Sequence, residues 1–102
     1  MAQNNIAQNS VVKVTQVNGG WDVSGDVLIT TANDLLKQSQ AFAIENTKID
    51  FANVTDVDTS AVSLILEWKR RAEKENQSLT FVNLPANLIS LVQLYDVADL
   101  IN

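Results

Sequence analysis

The sequence predicts an α/β fold in which a β-hairpin opens a small mixed sheet and helices pack onto that sheet. Two patterns carry this reading. Apolar and polar residues alternate on both sides of Asn18-Gly19-Gly20, and beyond Thr31 stretches with helical spacing take turns with short strand-like runs. Composition supplies a third argument. The 102 residues are 46% hydrophobic and 19% charged, with one proline and three glycines, which suits one packed domain and excludes a disordered linker or a collagen-like repeat.

Val12 and Val14 alternate with Lys13 and Thr15, the period of a half-buried strand. Asn18-Gly19-Gly20 tolerates the positive φ of a tight turn, and Trp21 and Val23 resume the alternation as far as Gly25, with Trp21 packing on the sheet. Thr30 or Thr31 can cap a first helix with Ala32, Leu35, Leu36, Phe42 and Ala43 on its apolar face. Ile49 and Phe51, between polar neighbours, make a strand. A second helix is predicted from about Asp58 to Asn76, with Val62, Ile65, Leu66 and Ala72 inward and Glu67 paired with Arg71. Leu79, Phe81 and Val82 form another strand. Pro85 suits the first turn of a third helix, which would bury Leu88, Leu91, Val92 and Tyr95. Val97, Leu100 and Ile101 make a short apolar end. The order is β-β-α-β-α-β-α, so the later strands should be parallel and joined by right-handed crossovers.

Several function classes fall away on residue counts. Without cysteine there is no disulfide, thiolate nucleophile or cysteine-bound zinc, and without histidine the usual general base and commonest metal ligand are missing. Seven basic against twelve acidic residues give a net charge of -5, which suits no nucleic-acid backbone. Residues Met1 to Ser10 are rich in Gln and Asn, unlike a secretory signal, and no run approaches the roughly 20 apolar residues of a bilayer span. The expectation is a cytoplasmic protein with a flexible segment 1–10 and a single domain over 11–102 that needs no cofactor.

The informative stretch runs from Phe51 to Ala61, where a strand end meets a helix start, the position at which sites collect in parallel sheets. Asp58 can accept hydrogen bonds from the first-turn amides, which places Thr59 and Ser60 at the positive end of the helix. Capping chemistry alone accounts for Asp-Thr-Ser. An anion or phosphoryl site at those hydroxyls is the functional alternative. Asp56 and Asp58 are too few carboxylates to predict a magnesium site.

The run Val54-Thr55-Asp56-Val57-Asp58-Thr59-Ser60-Ala61-Val62-Ser63-Leu64-Ile65-Leu66 resembles the signature of STAS domains, named for sulfate transporters and anti-sigma factor antagonists. Gly25-Asp26-Val27 fits the same pattern. The Asp58-Thr59 pair and the ending Leu94-Tyr95-Asp96-Val97-Ala98-Asp99-Leu100-Ile101 are most similar to the small STAS subunits of bacterial Mla-type phospholipid-transport ABC transporters. The resemblance implies a STAS-like fold and a non-catalytic interaction protein. In the transporter group, Thr59 would belong to the surface that binds the ATPase subunit, so the protein would meet the inner membrane only through that complex. In anti-sigma factor antagonists, the hydroxyl at Thr59 would instead be phosphorylated by a partner kinase. Thr59 where serine is usual, and Ala61 where glycine commonly follows, depart from that second pattern.

Two further features bear on a partner. Leu64 and Trp68 lie four residues apart, beside the predicted inward stripe, either as an apolar interface ridge or as cover for the core edge. Lys69, Arg70, Arg71 and Lys74 put most of the basic charge on the second helix, as a solvated face or one that meets an acidic surface. The candidate partner-binding or phosphoacceptor residues are therefore Asp58, Thr59, Ser60, Leu64 and Trp68.

Overall fold

The computed structural model describes residues 12–101; the predicted flexible segment 1–10 lies outside them. The elements are β1 (Lys13–Val17), β2 (Gly20–Val27), α1 (Ala32–Ser39), β3 (Thr47–Val57), α2 (Thr59–Lys74), β4 (Leu79–Val82), α3 (Ala86–Leu94) and α4 (Ala98–Ile101). One sheet has the order β1-β2-β3-β4, with the β1/β2 hairpin antiparallel and the other two pairs parallel. This is the mixed α/β arrangement that the sequence predicts, with helices packed on the sheet. Trp21, Val23, Ile49, Phe51 and Leu79 from the strands share one core with Leu35, Ile65, Trp68 and Leu88 from the helices.

The hairpin turns at Gly19, whose φ of +84° favours glycine. Gly20 is needed for a different reason: a Cβ there would lie 1.9 Å from the Lys48 carbonyl oxygen of the adjoining strand. The outer edge of β1 is closed by a side chain. Gln38 Oε1 accepts from Val14 N at 2.8 Å, and its Nε2 donates to Val12 O at 3.1 Å, as a neighbouring strand would.

β3 is longer than the Ile49–Phe51 alternation suggested. It stays paired with β2 as far as Val57 through two irregularities, opposite Asp22–Ser24 and opposite Gly25–Asp26, at each of which β3 carries one extra residue. These bulges interrupt the period of two, which hid the second half of the strand from a pattern reading. Asn53 Nδ2 donates to Asp22 Oδ2 at 3.1 Å, and Thr55 Oγ1 donates to Asp26 Oδ1, tying the bulged strands together.

α1 ends at Ser39, so Phe42 and Ala43 follow the helix rather than extend its face. Phe42 still packs against Trp21, with ring centroids 5.9 Å apart. The predicted Glu67–Arg71 pair does not form. Glu67 pairs with Arg70 instead, and Arg71 pairs with Glu75 at 3.3 Å. The reason lies in the Arg71 guanidinium, which also donates to the carbonyls of Ser39 (3.0 Å) and Phe42 at the end of α1. α2 and α3 each close with a residue of positive φ, Asn76 and Asp96. Gln77 N then donates to Ala72 O and Val97 N to Val92 O, and Asn76 N to Glu73 O and Asp96 N to Gln93 O, which gives each helix the two hydrogen bonds of a Schellman ending.

Candidate functional site

The parallel strands β2 and β3 finish together, with Val27 opposite Val57, so the joints that follow them lie side by side. Asp58 links the two. Its extended backbone (φ -130°) makes it the N-cap of α2, where Oδ1 accepts from Ser60 N at 2.8 Å. The other carboxylate oxygen, Oδ2, accepts from Ile29 N at 3.0 Å, across from the β2–α1 joint. Thr31 fixes the same joint from beneath: its buried hydroxyl accepts from Leu28 N at 2.9 Å and donates to Asp26 O at 2.6 Å.

Thr59 is exposed and opens α2, with Ser60 half-buried beside it, as predicted for a surface turn. Leu64 and Trp68 are not a surface ridge: their relative exposures are 3% and 0%. Trp68 stands edge-on to Trp21 at 5.6 Å and to Phe51 at 6.4 Å, and its Nε1 donates to Ser39 Oγ at 2.8 Å. α2 packs against α1 as well as α3 and α4. Its buried arc therefore extends beyond the predicted stripe to Ala61, Leu64 and Trp68, while Leu66 is only half-buried.

The surface around Thr59 has a different apolar composition from the one predicted. Two grooves flank the first turns of α2. One, of about 590 Å³, is lined by Thr59, Val62, Leu66, Tyr95 and Val97, and the other, of about 260 Å³, by Ala32, Asn33, Leu36, Leu64 and Glu67. Ile29, Ser60 and Ser63 line both. Ile29 is 77% exposed and Tyr95 52%, so Tyr95 does not face the core as its helical spacing suggested. Sequence reasoning passed over Ile29, which lies between the strand pattern that ends at Gly25 and the first helix, in a stretch without a period. Its one available signal was the adjacent Thr30-Thr31 pair, which marks a strand-to-helix joint.

The chemistry at the joint follows from these partners. Both Asp58 carboxylate oxygens are engaged by backbone N–H groups, and Asp56 Oδ1 accepts from Val57 N at 2.9 Å. The negative charge that the start of α2 favours is thus supplied from within the chain. No group of three or more metal-ligating side chains forms among the described residues. Asp50 has its carboxyl held below the usual carboxylate range by the Asn83 side-chain amide and by Ala52 N. The basic residues of α2, Lys69 to Lys74, follow Trp68 and occupy the half of the helix away from Thr59.

A family model described as "Mlab, STAS domain" matches residues 12–102. No curated protein matches the chain. No helix among the described residues is long and apolar enough to cross a membrane.

Proposed function

The chain belongs to the STAS domain family, close to its Mla-type members, and from that premise we propose that it is a non-catalytic interaction subunit. Its partner in this reading is the ATPase of a bacterial Mla-type phospholipid-transport ABC transporter, whose assembly or activity it supports from the cytoplasm. The observation that carries the proposal is the start of α2. There exposed Thr59 and half-buried Ser60 stand between two shallow grooves, on a joint held by the Asp58 carboxylate. Small hydroxyl side chains allow a partner backbone to approach closely, and Leu66, Val97 and Tyr95 offer apolar area beside them. Asp58 is committed to Ser60 N and Ile29 N, which argues against its serving as a base for the Thr59 hydroxyl.

The accessibility of Thr59 also favours a second reading, an anti-sigma factor antagonist phosphorylated at Thr59 by a partner kinase. Asp56 and Asp58 next to it would oppose the added charge, so the modification would alter the local surface more than the fold. A tagged pull-down from cytosol and membrane fractions, read by mass spectrometry, separates the two. Recovery of a transporter ATPase supports the first reading. Recovery of a sigma-factor regulator without transporter components, or abundant phosphate on Thr59 in growing cells, supports the second.

A further inference from the structure

Resting on the transporter-subunit reading, we propose that Ile29 is the anchor of the docking surface, and that it enters an apolar pocket rimmed by Lys or Arg on the ATPase. Ile29 has the highest exposure, 77%, among the large exposed hydrophobic residues. An apolar side chain in water gains nothing for the fold, and a loose joint could turn it inward. This joint is not loose. Ile29 N is held by Asp58 Oδ2, Leu28 N by the Thr31 hydroxyl, and Thr31 N and Ala32 N both donate to Leu28 O, at 3.0 and 2.8 Å. Ile29 is therefore presented in a fixed position, and little ordering remains to oppose its burial on binding.

The place of Ile29 suits an anchor. It lines both grooves beside the first turns of α2, so a partner that covers Thr59 and Ser60 also meets Ile29. The charges decide what kind of partner. No lysine or arginine lines either groove, and Glu67, the one charged residue lining them, is paired with Arg70. Exposed Asp56 precedes α2, exposed Asp96 stands between Tyr95 and Val97, and exposed Asp34 follows Asn33. Against these stand exposed Lys37, after Leu36, and the cations of α2, which begin at Lys69 and of which Arg70 is taken up by Glu67. An apolar centre with an acidic surround matches a basic-rimmed pocket. It disfavours a second copy of this chain, which would bring the same acidic surround to itself.

The test uses the full chain and its cognate transporter ATPase, with affinity measured by calorimetry at low and high salt and melting temperature recorded for each variant. Ile29→Asp should weaken binding by more than about 100-fold and Ile29→Ala by roughly 10- to 100-fold, the worth of one buried isoleucine. Both should keep the wild-type melting temperature. Asp96→Lys should weaken binding and flatten its salt dependence. Wild-type-like affinity of Ile29→Asp, with wild-type binding intact, overturns the anchor but leaves the transporter reading standing. Absence of binding by the wild type overturns both. Self-association of the wild type that Ile29→Asp abolishes overturns the choice of partner.

Discussion

The first and third turns of α2 belong to one continuous helix, yet they are built for opposite purposes. At Thr59 and Ser60 the side chains are small, the cap is a carboxylate, and the face opens onto two grooves. At Trp68 the largest side chain of the helix is fully buried among Trp21, Phe51 and Ser39. The difference teaches that size and apolarity on a helix do not mark an interface when other helices flank it on both sides. Here the helix start shows small polar residues, and the apolar area beside them comes from Ile29, Leu66, Tyr95 and Val97.

Substitutions can break this contrast at either end, and the largest effect is expected at Trp68. Trp68→Ala should destabilise the fold by about 3–5 kcal/mol, since it empties the aromatic cluster, whereas a surface ridge would lose less than about 1 kcal/mol. Chemical denaturation distinguishes the two. Phe51→Ala, in contact with the same indole, should cost about the same, and its effect combined with Trp68→Ala should not be additive. Asp58→Ala comes next, at about 1–2 kcal/mol for a lost cap. Because Asp58 also holds Ile29 N, hydrogen exchange at Ile29 should accelerate in that variant while exchange in the middle of α2 should not.

Much of this contrast was legible in the sequence, though not all of it. The Asn18-Gly19 turn, the Asp58 cap and the exposed Thr59 follow from local chemistry, because each depends on residues within a few positions of itself. The burial of Trp68 does not. It depends on Ser39 and Trp21, which are distant in sequence and reach the indole only through the packing of α1 and the hairpin. The exposure of Ile29 was hidden for the same reason, since the carboxylate that fixes it lies on the other joint, 29 positions along the chain. Where a bulge broke the period of β3, even strand length was lost to pattern reading.

The smallest expected effect lies outside α2 and serves as a control. Asn83→Ala should raise the titration point of Asp50, visible by NMR, because it removes the amide that favours the ionised form. With the folded carboxyl depressed below its unfolded value, any stability that it lends is present above the unfolded pKa. That contribution is lost as pH falls through the folded pKa. Affinity for a partner at the start of α2 should be unchanged.

The most direct measurement compares Thr59→Glu with wild type in affinity for the proposed partner, the transporter ATPase, and in melting temperature. Glutamate at the exposed first position of α2 leaves the core untouched, so the melting temperature should stay within about 2 °C of wild type. In the complex it would bury a third carboxylate beside Asp56 and Asp58, where the partner backbone closes on the small side chains of Thr59 and Ser60, and weaken binding by about 3–5 kcal/mol. Unchanged melting with that loss of affinity is the predicted result. Wild-type affinity for Thr59→Glu would contradict the account and move the interface away from the start of α2.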